Sequence, residues 1–251
     1  MSGIELGLGL VSLGRSWGVR KTVPPARPDA IALIQGAYDL GIRFFDVAPA
    51  YNTSEAILGE ALGNRREMTD DVVIATKAGE HWVGGDEVTR VDHSFDALCR
   101  SMEQSLERLG RIDLMQIHKA TEECLRLADL ERFISRARED GIGEFGASVS
   151  SETAALAAID TGLFGWLQFP VNTETPLWRD VTGRLKDEGM RVLANRPFAM
   201  GAAAERGAPG REAAFVHVLS SGLPEGSVVL TGTRSMAHLR ENVDSYAKAR
   251  A

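Results

Sequence analysis

Gly41-Ile-Arg-Phe-Phe-Asp46-Val-Ala-Pro-Ala-Tyr51-Asn-Thr-Ser-Glu-Ala-Ile-Leu-Gly-Glu-Ala-Leu-Gly63 is the stretch whose reading decides the fold. Ile42, Phe44, Phe45 and Val47 form a short apolar strand that carries one carboxylate, Asp46, near its C-terminal end, and a phenol, Tyr51, follows in the loop. A carboxylate set in an apolar strand needs a partner, because a buried unpaired charge is costly. Val72-Val-Ile-Ala-Thr-Lys77 offers one, being a second short β-branched strand that ends on lysine. A third, Leu114-Met-Gln-Ile-His118, ends on histidine. The spacings, 31 residues from Asp46 to Lys77 and 41 from Lys77 to His118, are each about one β/α unit. Asp, Lys and His at three strand ends predict a single site at one end of a sheet.

Outward from that stretch the same unit repeats. Leu6 to Leu13 reads as the first strand and Pro28 to Leu40 as the first helix, with Pro at its start and Gly41 after its end. Strand 44–47 leads to helix 54–62, strand 72–77 to helix 95–109, and strand 112–117 to helix 128–139. Then strand 144–148 leads to helix 151–160, strand 166–171 to helix 177–188, strand 191–195 to helix 211–221, and strand 227–231 to helix 236–247. Phe95, Leu98, Met102, Leu106 and Leu109 show the helical period most plainly, and Gly110 ends that helix. Eight strands in strict alternation with eight helices demand parallel pairing and right-handed crossovers. A doubly wound open sheet is the alternative, but it gathers its ligand groups near one switch point. Here polar residues close nearly every strand: Asp46, Lys77, His118, Ser148, Gln168, Asn172 and Asn195. That spread predicts an α/β protein of the (β/α)8 TIM barrel type, one domain over residues 1–251.

Composition is that of an ordinary globular protein rather than a polyanion binder. The chain has 251 residues, 35 acidic against 28 basic, and a formal net charge of −7, with no dense basic block to neutralise a phosphate backbone. No nucleic-acid partner is expected. No apolar run is long enough to span a bilayer, and Met1-Ser-Gly-Ile-Glu lacks a basic segment followed by an apolar one, so a cytoplasmic protein without membrane partner is expected. Cys99 and Cys124 have no spacing that implies a disulfide or a metal site. Oligomeric state is not legible.

The run Phe45-Asp-x-Ala-x-x-Tyr51-x-x-Ser-Glu55-x-x-Leu-Gly59, the lysine that closes the next strand, and Gln116-Ile-His118 together resemble the aldo/keto reductase family. The resemblance covers essentially the whole chain and implies a catalytic tetrad of Asp46, Tyr51, Lys77 and His118. The chemistry is intelligible from the residue types. A carbonyl reduced by hydride needs a proton at its oxygen, yet a free phenol titrates near 10. A neighbouring ammonium, Lys77, lowers that pKa, Asp46 keeps the ammonium charged and in place, and His118 orients the carbonyl.

The same resemblance implies NADPH as the cofactor. Family members hold its adenosine phosphate with the loop matching Thr231-Gly-Thr-Arg-Ser235, which puts Thr233, Arg234, Ser235 and His238 near the phosphate and Glu241 and Asn242 at the adenine. A bidentate Arg234 favours the 2′-phosphate of NADPH over NADH. Ser148 and Gln168, with Asn172 in the following pattern, match positions that hold the nicotinamide carboxamide, and the loop from Asn195 to Gly201 passes beside it. The sequence departs from the family at Val149, where Asn is usual, at Asn52, where Gly is common, and at 195–196, where no aromatic stands to stack on the nicotinamide. Substrate contacts fall to Trp17, to His81 and Trp82 in the expected loop 80–85, and to Lys119 and Trp178. The residues also admit a Schiff-base lyase or aldolase on Lys77, and a nucleotide-binding regulator that has lost turnover.

Overall fold

The computed structural model describes residues 3–16, 22–84 and 88–251. In chain order the elements are β1 (Glu5–Gly9), α1 (Val11–Gly14), α2 (Arg27–Asp39), β2 (Phe44–Asp46), α3 (Ser54–Gly63), α4 (Arg66–Thr69), β3 (Val73–Ala78), β4 (Glu80–Gly84) and β5 (Val88–Val91). They continue with α5 (Phe95–Leu109), β6 (Leu114–Ile117), α6 (Glu122–Leu125), α7 (Ala128–Glu139), β7 (Glu144–Ser148), α8 (Glu152–Asp160), β8 (Trp166–Pro170), α9 (Arg179–Asp187), β9 (Arg191–Asn195), α10 (Gly207–Leu219), β10 (Val228–Thr231) and α11 (Met236–Arg250). Eight strands close in the order β1-β10-β9-β8-β7-β6-β3-β2, every pair parallel. The fold is the (β/α)8 barrel.

Alternation along each strand sorts side chains into two layers. Phe45, Ile74, Met115, Phe145, Leu167 and Val192 join the layer between barrel and helices, where α5 seats Leu98, Met102 and Leu109. The opposite parity gives a separate apolar cluster of Phe44, Ala75, Leu114, Trp166, Leu193, Val228 and Leu230, which fills the barrel interior. Continuing that inner parity by two residues toward the C-terminal ends reaches Asp46, Lys77, Gln116 and Gln168, all buried. One apolar layer therefore carries one polar layer, and the polar layer is the floor of the mouth.

Two expectations need correction. The apolar run read as a strand to Leu13 leaves the barrel at Gly9, where pairing with Asp46 ends. Without a strand partner beyond it, the backbone bonds to itself, Leu13 N–H to Leu10 C=O and Arg15 N–H to Val11 C=O, and forms α1. The segment expected as a loop at 80–85 is, through Gly84, strand β4, paired antiparallel with β5 as a hairpin outside the barrel. Trp17 and residue 85 lie outside the described residues.

Candidate active site

Lys77 and Asp46 occupy the centre of the polar layer. Lys77 Nζ donates to both carboxylate oxygens of Asp46 at 2.7 Å and to the carbonyl of Val47 at 2.8 Å. Lys77 is 1% exposed and Asp46 3%. Burial disfavours the ammonium, but Asp46 and Tyr51 together outweigh it, so the lysine's pKa is raised and the ion pair persists. Asp46 also accepts from Gln116 Nε2 at 3.0 Å and from Gln168 Nε2 at 3.4 Å. The sequence reading assigned Gln168 to a cofactor amide; its Nε2 braces the carboxylate, while its Oε1 has no hydrogen-bond partner among the described residues. Gln116 received no role from the sequence, although its place between Leu114 and His118 puts it on the inner face.

Tyr51 sits on a single 3-10 turn, Pro49–Tyr51, directly after β2. Asn52, where the family commonly has glycine, has φ +56° and so takes the backbone conformation that glycine adopts without strain. Gly14 is required from the other side: a Cβ there would lie 1.9 Å from the Tyr51 carbonyl oxygen and 2.6 Å from Ser54 N. The turn is thus wedged between α1 and α3. Lys77 Nζ lies 4.9 Å from the centre of the Tyr51 ring, close enough for its charge to act on the phenol. Burial pushes the phenol's pKa up and Lys77 pulls it down, with the balance upward. This corrects the expected net lowering, because desolvation of the phenolate in the protein alone exceeds the help from an ammonium that Asp46 already neutralises.

His118, just past β6, meets Tyr51 edge to face with centroids 5.8 Å apart. Its carbonyl accepts from His93 Nε2 at 2.7 Å. Burial first, then Lys77, Lys119, His93 and Arg15, hold its pKa well below the usual histidine range, so the ring is neutral at neutral pH. Its Nδ1 faces Glu80, 3.1 Å from Oε2, at ion-pair distance but without the alignment of a hydrogen bond. Glu80 was read only as the start of a loop. The available signal was the Lys77-Ala-Gly-Glu80 spacing, which returns a carboxylate to the mouth one step after the lysine. Trp82 on the same hairpin carries the Arg15 guanidinium 4.9 Å above its ring, while Arg15 also donates to the Ala50 carbonyl. His81 lies beside it on β4. Trp178 instead stacks on Phe169 at 5.1 Å.

The remaining predicted residues follow round the barrel on β7 to β10. Ser148 is half-buried at the end of β7, paired in register with Gln168. Val149 is buried and donates its N–H to the Gln168 carbonyl. Asn195 ends β9, and its Oδ1, like Gln168 Oε1, is buried without a partner among the described residues. Asn172 donates to the Arg196 carbonyl at 3.1 Å. After β10, the Thr233 hydroxyl accepts from Ser235 N–H, and Arg234 is exposed and donates to the Val23 carbonyl at 2.8 Å. Ser235 precedes α11 without a side-chain cap, no acidic residue stands in the first turn, and His238 is exposed there. Glu241 pairs with Arg211 at 2.7 Å, a partner the sequence did not identify, and Asn242 is turned inward to Thr231 Oγ1 at 2.9 Å.

Chemically, the mouth joins a proton-bearing phenol, a fixed ammonium and a neutral imidazole on one side to unpaired acceptors and a cationic helix start on the other. Three buried amide oxygens without a partner among the described residues, those of Gln116, Gln168 and Asn195, fit a ligand that brings an N–H donor, such as a carboxamide, and an uncapped helix start with Arg234 fits an anion. Among the described residues no cluster could hold a metal, and no helix is long and apolar enough to cross a membrane.

Known proteins agree with this geometry. The sequence pattern of the aldo/keto reductase family matches residues 5–217. L-galactose dehydrogenase of Arabidopsis thaliana is 28% identical over 95% of this chain and 82% of its own. D-threo-aldose 1-dehydrogenase of Pseudomonas sp. is 31% identical over 58% of this chain and 54% of its own. A Pseudomonas aeruginosa structure assigned to the aldo-keto reductases superposes with TM-score 0.82 at 28% identity, covering 98% of this chain and 90% of that one. With the closed barrel and the four residues gathered in its mouth, the match over most of the sequence has one meaning: this chain belongs to the aldo/keto reductase family and is an oxidoreductase.

Proposed function

We propose that the protein reduces an aldehyde or ketone to an alcohol with NADPH. The observation that carries this reading is the Lys77 ammonium, fixed by Asp46 and Val47 and set 4.9 Å from the centre of the Tyr51 ring. NADPH, when bound, supplies the hydride. Tyr51 holds the proton and releases it to the carbonyl oxygen as negative charge grows there, and Lys77 stabilises the phenolate left behind. Asp46 keeps Lys77 charged, Gln116 and Gln168 keep Asp46 in place, and His118 fixes the oxygen of the substrate. In the reverse direction Tyr51 is the base.

Ser148, Gln168 and Asn195 would meet the nicotinamide end of the cofactor, Thr233, Arg234, Ser235 and His238 its 2′-phosphate, and Glu241 and Asn242 the adenine. His81 and Trp82 wall the substrate side. The Schiff-base reading is disfavoured because an amine that must attack a carbonyl has to be neutral, and Lys77 Nζ is committed to three acceptors and raised in pKa.

The test is a fluorescence titration of the protein with NADPH and NADH, followed by a panel of aldehydes, ketones, pyridoxal and aldoses. Relatives named for L-galactose and D-threo-aldose put sugars on that panel. Tighter binding of NADPH and its oxidation by at least one carbonyl are expected. Binding of neither cofactor would overturn the reading, and tight binding with no turnover of any compound would favour the regulator.

A further inference from the structure

Glu55 belongs to the run of sequence that decides the fold, yet the mechanism above gives it no part. It is a carboxylate of 0% exposure near the start of α3. Its Oε1 accepts from Thr76 Oγ1 and from Ser105 Oγ, each at 2.7 Å, and its Oε2 accepts from Arg108 Nη1 at 2.8 Å. Thr76 and Ser105 are themselves wholly buried, while Arg108 reaches in from the surface. A buried carboxylate is costly unless donors and a counter-charge meet it, and here they do. Well-packed apolar residues commonly stabilise a fold as much as such a cluster does, so stability alone does not account for it.

What the cluster joins is specific. Helix α3 begins just after the Pro49–Tyr51 turn, and Thr76 immediately precedes Lys77 on β3, facing the helices while Lys77 faces the mouth. Register between β2 and β3 ends at Asp46 and Ala75, and one further bond runs from Val47 N–H to the Ala75 carbonyl. Strand pairing therefore stops before the turn and does not set how far Tyr51 stands from Lys77. The Thr76–Glu55 hydrogen bond spans that gap. On the other flank α3 has no room to slide along α5, because a Cβ on Gly59 would collide with the Arg108 carbonyl. We infer that Glu55 is a positioning residue that sets the spacing of the Tyr51 phenol and the Lys77 ammonium, by fastening α3 to the residue before Lys77. Ser105 and Arg108 hold the carboxylate in the orientation this requires. The attraction between an ammonium and a developing phenolate weakens with separation, so the spacing governs how well Lys77 supports proton release. This deepens the proposed mechanism and rests on it for the chemistry, though not for the geometry.

Two hydroxyls on one oxygen make the idea testable. Thr76→Val and Ser105→Ala each remove one 2.7 Å hydrogen bond from Oε1 and leave the other and Arg108 in place. A carboxylate that only stabilised the fold would make the two variants alike, whereas a positioning role depends on the link to β3. Spectrophotometric titration of the full-length chain without cofactor reads the phenol directly; the chain has three tyrosines, and Tyr51→Phe identifies the signal. Lys77 lowers the phenol's pKa, so Thr76→Val should move Tyr51 ionisation to higher pH and Ser105→Ala should not. With a substrate in hand, Thr76→Val should lower kcat roughly tenfold with NADPH affinity unchanged, short of the roughly 10²-fold cost of a full 1 Å misplacement. Thr76→Ser, which keeps the hydroxyl, should restore it. Thr76→Ala carries the same comparison should Thr76→Val not fold. Equal shifts in the two variants, or none in Thr76→Val, overturn the inference. A titration as expected with no turnover of any carbonyl would count against the reductase reading and leave the positioning role standing. Equal turnover by the wild type and Thr76→Val would do the reverse.

Discussion

The two sides of the barrel mouth are built differently. On the side of β2, β3 and β6, each charged group already has its partners: Lys77 makes three hydrogen bonds, Asp46 receives four, and Glu80 holds Thr89 and Lys119 while facing His118. On the side of β8, β9 and α11, Gln168 Oε1 and Asn195 Oδ1, like the neutral Gln116 Oε1 on β6, have no partner among the described residues, Arg234 and His238 are exposed, and the helix start is uncapped. The contrast separates two jobs. Groups that move a proton must be held in place before the substrate arrives, because reorganising them during the reaction would raise the barrier. Groups that hold a large exchangeable ligand must instead be left with bonds to make.

If that division is right, changes on the two sides should have different signatures. The largest effect belongs to Tyr51→Phe, which should lower kcat by roughly 10²–10⁴-fold with little change in cofactor affinity, as steady-state kinetics and a fluorescence titration will show. Unaltered turnover would remove the phenol from the mechanism. Lys77→Met strips a buried carboxylate of its counter-charge and should cost about 3–5 kcal/mol of stability in chemical denaturation. A loss below about 1 kcal/mol would mean that the catalytic side is less braced than its geometry implies. On the other side, Arg234→Ala should leave stability within about 0.5 kcal/mol, since the residue is exposed. It should raise the Kd for NADPH about tenfold or more and that for NADH little; equal losses for the two cofactors would assign Arg234 elsewhere.

The smallest effects are those of pH. The folded-state pKa of His118 lies below its unfolded value, so the unfolded chain binds the proton more readily in the interval between them. Stability from this group is complete above about 6.5 and is lost as pH falls through the folded value. Melting temperature should therefore drop more on acidification in the wild type than in His118→Asn, and parallel curves would contradict the buried neutral ring. The Tyr51 phenol, raised by burial, stays protonated through neutral pH. Reductive kcat/KM should consequently show no loss from this group until pH passes about 10.

Legibility in the sequence followed the range of the forces involved. Helix α5 was bounded correctly because its apolar face and the Gly110 stop are both local. Strand alternation and unit spacing brought Asp46, Lys77 and His118 to one end of the sheet, and the resemblance to the family added Tyr51 and the roles of all four. Leu10 to Leu13 failed because apolar residues fit a strand or a buried helical turn equally well, and the choice depended on whether a neighbouring strand was there to pair with. Glu80 failed for a related reason. Nothing near it in sequence reveals that β4 folds back onto β5 or that Lys119 reaches across to it.

By itself the sequence determined the barrel, the order of its strands and the residue types at its mouth, since period-two patterning and chain alternation are properties of the chain alone. Only the tertiary structure decided how those groups share protons. Burial sets the Tyr51 phenol above its ordinary range and keeps His118 neutral, and Glu80 approaches Nδ1 from a hairpin that the barrel's own periodicity does not encode. The reason is physical: charge and desolvation act through space, between side chains that the linear order keeps apart.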